Sequence, residues 1–206
     1  MSRFRKMLCI LAILIVVSIG VFGENSSKLY YPEYEDVILG KKAVYIEDDN
    51  KTLQEYIKLL DIEDGVLSRF TLMDLDNDGV DELILEYSVA QYPYSYFLLH
   101  CADKKIYMYD LGLRSFNCLR TDGTFEYASS AMDNGIARVD FTKAETIIAP
   151  IAYSKEGTKD NIVYYEENNQ INLAKFNKIL EAQWQKDEPI WLEYSENNIL
   201  NILRKE

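Results

Sequence analysis

The chain has 206 residues, of which 48% are hydrophobic and 16 are tyrosine. That is enough apolar material for a sizeable core, which excludes a disordered polypeptide, and the length fits one domain or at most two small ones. Acidic residues number 34 against 22 basic ones, a net charge of −12; such a surface repels nucleic acid and anionic membranes and suits cations or cationic partners.

Arg3, Arg5 and Lys6 precede an apolar run of 16 residues from Met7 to Phe22, short of the ~20 that span a bilayer comfortably. Val21-Phe22-Gly23 follows, with small residues at the first and third positions, and Glu24 opens a polar stretch. Residues 1–23 read as a secretory signal peptide, with an uncleaved membrane anchor as the alternative. Cys9 stands at the start of the apolar run rather than after it, which argues against a lipid anchor. Cleavage removes three basic residues and no acidic one, deepening the net charge from −12 to about −15. The mature protein is then expected to be secreted or extracytoplasmic, and to meet a membrane only if the segment stays uncleaved.

Residues 24–49 show no helical period and read as an extended N-terminal segment. Asp49 or Asn50 can cap a helix with Leu53, Tyr56, Ile57 and Leu60 on one face, ended by Gly65. From Ser68 to about Tyr165 the pattern is β. The nearly unbroken apolar runs on either side of Asp74–Glu82 suggest strands covered on both faces. Turns are expected at Asp103-Lys104, Asp122-Gly123 and Asn134-Gly135, the last two carrying the dipeptides that favour tight hairpins. Asn172 can then cap a helix presenting Leu173, Phe176, Leu180 and Trp184 inward, and Ser195 a shorter one with Ile199, Ile202 and Leu203 inward. The order helix, strands, helices predicts an α+β fold: an antiparallel meander with an N-terminal helix and C-terminal helices packed against it, as a single domain over residues 50–206.

One stretch carries a chemical pattern, Asp74-Leu-Asp76-Asn-Asp78-Gly79-Val80-Asp81-Glu82. Calcium takes six to eight oxygen ligands, and a tight loop supplies them from side chains at positions one, three and five, a carbonyl at seven and a carboxylate or water at nine, with glycine at six for the bend. Here those positions are Asp74, Asp76, Asp78, the Val80 carbonyl and Glu82, with Gly79 at six. Position twelve, a bidentate glutamate in an EF-hand, is Leu85, and the flanks read as strands, so the motif is strand-loop-strand. The loop resembles the calcium loops of FG-GAP and VCBS-type repeats. The wider pattern resembles a group of uncharacterised secreted Gram-positive bacterial proteins that carry a signal peptide, one DxDxDGxxE loop and a tyrosine-rich antiparallel sheet. A single loop does not imply a propeller, which needs several blades. Without the position-twelve clamp the expected affinity for Ca2+ is that of extracellular modules, about 10⁻⁴–10⁻³ M.

No nucleophile elbow, phosphate-binding glycine loop or histidine pair occurs in the sequence. The expected function is therefore a secreted, calcium-binding interaction module for an extracellular glycan or protein, more readily a binder than an enzyme. The alternative is a secreted carboxylate-dependent hydrolase acting, for example, on glycans. The segment 91–97 (QYPYSYF), with Trp184 and Trp191, is either an aromatic platform or a set of half-buried strand residues. His100 reads as a satisfied or surface histidine. Cys101 and Cys118 leave one disulfide open against two free thiols.

Overall fold

The structure, a computed structural model, describes residues 32–141, 147–158 and 161–204. The signal-peptide reading of residues 1–23 lies outside the described residues. Among the described residues no helix is long and apolar enough to cross a membrane.

The fold is α+β with two antiparallel-rich sheets. In chain order the elements are α1 (Pro32–Ile38), β1 (Val44–Ile46), β2 (Asp49–Lys51), α2 (Leu53–Leu60), β3 (Gly65–Met73), β4 (Glu82–Val89), β5 (Tyr92–Ala102) and β6 (Lys105–Gly112). After these come β7 (Phe125–Ala128), β8 (Asn134–Val139), β9 (Ile148–Glu156), β10 (Ile162–Glu166), β11 (Asn169–Ile171), α3 (Leu173–Trp184), β12 (Leu192–Glu193) and α4 (Glu196–Leu203). The seven-stranded sheet runs β12-β3-β4-β5-β6-β1-β2 and the five-stranded sheet β11-β10-β9-β8-β7. The β1–β6 pair is parallel, and every other pair is antiparallel.

The two-residue side-chain period of a strand divides β4 and β5 between two cores. Leu83, Leu85, Tyr87, Phe97 and Leu99 face a core shared with α1, α2 and α4. Ile84, Tyr96 and Leu98 face a second core, to which Phe125, Ala137 and Val139 of the smaller sheet contribute. Every residue from Glu82 to Ser88 is buried, as a strand covered on both faces requires.

Several local expectations need correction. The segment 24–49 is not wholly extended: Pro32–Ile38 forms α1, whose Tyr34, Val37 and Ile38 are buried, and β1 and β2 form a short hairpin. The α2 cap is Thr52 rather than Asp49 or Asn50, because Thr52 and Glu55 close a reciprocal capping box while Asp49 and Asn50 lie in β2. Asn134-Gly135 lies inside β8, not in a turn. The β4–β5 hairpin instead turns at Ala90-Gln91, both at positive φ, as does the expected Asp103-Lys104 turn. On α3 the buried residues are Phe176 and Gln183, whereas Leu173 and Trp184 are exposed; the inner face is rotated so that the Thr124 hydroxyl reaches Gln183 Oε1 at 3.0 Å. The Ser195 cap and the inward Ile199 and Leu203 hold. Cys101 and Cys118 are free thiols. Cys101 packs at the margin of the helix-side core and Cys118 lines a cavity beside Tyr96 and Trp191, and burial pushes both thiols up.

α1 also braces the acidic loop. The buried Tyr34 hydroxyl lies 3.1 Å from the Asp81 carbonyl and 3.0 Å from the Leu99 carbonyl. Tyr34→Phe is expected to cost about 1–2 kcal/mol, since it removes a buried hydroxyl that donates to the loop carbonyl or to that of the neighbouring strand. Urea unfolding would show this as a lower midpoint with an unchanged slope.

Candidate metal centre

The loop 74–81 closes the β3–β4 hairpin, whose last ladder pair is Met73 with Glu82. Leu75 is buried and pins the loop into the core between the sheets. The backbone then folds the aspartates inward. The Asp78 N–H donates to Asp74 Oδ1 at 3.1 Å and to Asp76 Oδ1 at 3.2 Å. The Gly79 N–H donates to Asp74 Oδ2 at 3.0 Å, and the Val80 N–H to Asp78 Oδ1 at 2.7 Å. Asn77 and Gly79 adopt positive φ, +63° and +89°, a conformation that Asn tolerates and Gly takes freely. The three carboxylates, separated by the buried Leu75 and the exposed Asn77, thus converge: Asp74, Asp76 and Asp78 each offer an oxygen within 4.8 Å of the others.

Glu82 sits differently from its expected place. It is fully buried. Its Oε2 accepts the Leu75 N–H at 2.8 Å, and its Oε1 lies 2.9 Å from His100 Nδ1. Its oxygens group with Asp76 and His100 rather than with all three aspartates, so Asp76 is common to both groups. Val80 is exposed at the tip, and Asp81 is half-buried at the loop exit.

The electrostatics favour a cation. Burial raises the pKa of Glu82 above its ordinary value, against the lowering effect of the His100 contact and the Leu75 N–H. Burial, together with the charge of Asp78, also raises that of Asp76. Both shifts mark carboxylates whose charged form burial disfavours, a cost that a bound cation would offset. All the assigned donors are hard oxygens, the set that calcium or magnesium takes, and the three aspartates are held by backbone amides, whereas Glu82 also meets His100.

His100, expected to be a satisfied or surface histidine, is satisfied through Glu82 and stands beside the site although it was not among the expected ligands. It is 8% exposed, its ring stacks on Phe141 with centroids 4.1 Å apart, and it holds Glu82 in place. The strand register places it there. Ile84 pairs with Leu98, so one period outward on the same face brings Glu82 opposite His100.

No protein-family model matches the chain, and neither a curated protein nor a solved structure matches it.

Proposed function

We propose that the protein is an extracytoplasmic binding module stiffened by one Ca2+, held by Asp74, Asp76, Asp78 and the Val80 carbonyl, with Glu82 completing the site directly or through a water. The observation that carries this reading is the convergence of three aspartate oxygens within 4.8 Å of one another on a loop whose own amides hold them. The likeness to FG-GAP and VCBS-type loops supports calcium over other hard cations. The ion stabilises the β3–β4 hairpin rather than doing chemistry, and the partner is an extracellular glycan or protein.

Calorimetric titration of the purified chain with CaCl2 tests it. One ion per chain is expected, at about 10⁻⁴–10⁻³ M; no saturable heat at about 10 mM would remove the reading.

Glu82→Gln separates the cost of the buried charge from its use. The substituted amide keeps both contacts, accepting from the Leu75 N–H and donating to His100 Nδ1. Because the folded-state pKa of Glu82 is raised above 4.5, its favourable contribution is full below that value and is lost as pH rises through the folded one. In chelator at neutral pH the variant is therefore expected to melt no lower than wild type, with its advantage fading as pH falls toward 4.5. In calcium it is expected to lose much of the gain. Melting curves across pH, with and without chelator, check both signs.

A further inference from the structure

The two tryptophans of the chain line two adjoining cavities that share Asn117. The larger, about 370 Å³, has α3 and the β7–β8 hairpin in its walls and is lined by Trp184 and Tyr127 together with Arg114, Asn117 and Glu126. The smaller, about 190 Å³, is lined by Trp191 and Tyr96 together with Arg69, Asn117 and Glu188. The volume of the larger alone falls in the range of small-ligand sites, which combine aromatic walls with a few placed polar groups.

We propose that these cavities are neighbouring subsites of one cleft for a neutral oligosaccharide, each tryptophan carrying one sugar ring. An indole face matches the apolar C–H face of a pyranose, and planar amide, carboxylate and guanidinium groups match its rim of hydroxyls. Both platforms are held before any ligand arrives. Trp184 is 56% exposed, yet its indole N–H donates to Glu126 Oε1 at 2.7 Å. Trp191 packs on Tyr96 at 5.8 Å and carries the Arg69 guanidinium 5.3 Å from its ring, with Arg69 itself paired to Glu86. Holding a platform in its bound geometry lowers the ordering cost of association.

Charge selects a neutral occupant. Each cavity carries one arginine and one glutamate among its lining residues, on a chain whose net charge is −12. Geometry disfavours a peptide bound by adding its main chain to a free strand edge. Here the outer edge of β7 is already occupied. Asn117 and Glu126 exchange N–H···O bonds of 2.9 and 2.7 Å, and the Ala128 N–H donates to the Arg114 carbonyl at 2.6 Å. The proposal rests on the binding-module reading and names its partner. It is independent of calcium, because no loop residue lines either cavity.

The test is titration of the full chain with cellohexaose, N-acetylchitohexaose and xylohexaose, in calcium and in chelator. A capped tyrosine-containing hexapeptide is titrated in parallel. Tryptophan emission follows binding to wild type, and calorimetry follows the variants. At least one sugar is expected to give a saturable response. Trp184→Ala and Trp191→Ala should each weaken it about tenfold or more, and Trp184→Phe, which keeps an aromatic face, no more than about fivefold. Because Trp191 packs on core residues, Trp191→Phe serves as its second variant, and melting curves confirm that each variant is folded. No saturable response to any of the three sugars at about 10 mM, binding of the peptide alone, or undiminished sugar binding by Trp184→Ala would each overturn the cleft. Sugar binding without a calcium effect on stability removes the calcium reading and leaves the cleft standing; the reverse result removes the cleft alone.

Discussion

Asp76→Ala is expected to erase most of the calcium-dependent rise in melting temperature. At a calcium concentration 100 times Kd, a single site that exists in the folded state alone stabilises by about 2.7 kcal/mol. For a chain of this size that is about 5–10 °C. Asp76 is the carboxylate common to the aspartate triplet and to the Glu82–His100 group, so its removal takes an oxygen from the middle of the site. In chelator the same substitution is expected to be nearly neutral. It deletes one contact to the Asp78 N–H, but it also deletes a charge that burial and Asp78 disfavour. The effect should therefore appear in the difference between calcium and chelator. Gly79→Val should differ, lowering stability in both conditions. Its Cβ would meet nothing within 4 Å, but φ is +89°, where a β-branched residue is strained. Paired melting curves of the three proteins separate a lost ligand from a strained backbone.

Gly135→Ala is expected to be the more damaging of two otherwise similar substitutions. A Cβ at Gly135 would stand 2.1 Å from the Ala152 carbonyl oxygen and 2.7 Å from Tyr153 Cα, both backbone atoms of β9. Neither can swing aside as a side-chain tip can, so β8 and β9 must separate, beside a register shift already present at Ile136/Ala137. Overpacking costs about 1–3 kcal/mol, and the upper end is expected here, about 6–12 °C in melting temperature. Gly112→Ala is the control. Its Cβ would meet nothing within 4 Å and its φ lies outside the left-handed region, so it should be neutral or slightly stabilising. Equal melting temperatures for the two variants would refute the close-approach explanation.

Gly135 also shows where sequence reasoning stops. Asn134-Gly135 carries the composition of a hairpin turn, yet the glycine is needed for the approach of a neighbouring strand, a property of tertiary packing. Conversely, Ala90-Gln91 makes a turn with both residues at positive φ although neither type signals one; the flanking strands impose it. The meander was legible because its strand pattern runs long, and α3 and α4 because their caps, Asn172 and Ser195, are residue types that accept N3 amides. α1 was not, since its seven residues give barely two turns of pattern and its stability comes from packing Tyr34, Val37 and Ile38. In the site, spacing along the chain brought Asp74, Asp76 and Asp78 together. The separate placement of Glu82 depends on His100, 18 residues away on the neighbouring strand, and local spacing carries no information about that contact.

The most direct measurement is a crystal structure grown in millimolar calcium, with anomalous differences collected to locate the ion. One calcium peak is expected inside the loop, with carboxylate oxygens of Asp74, Asp76 and Asp78 and the Val80 carbonyl at about 2.3–2.6 Å, and with Glu82 still within reach of His100. A loop free of any anomalous peak at that concentration, or an ion bound elsewhere while the loop keeps its Asp–amide contacts unchanged, would contradict calcium as the ligand of this loop.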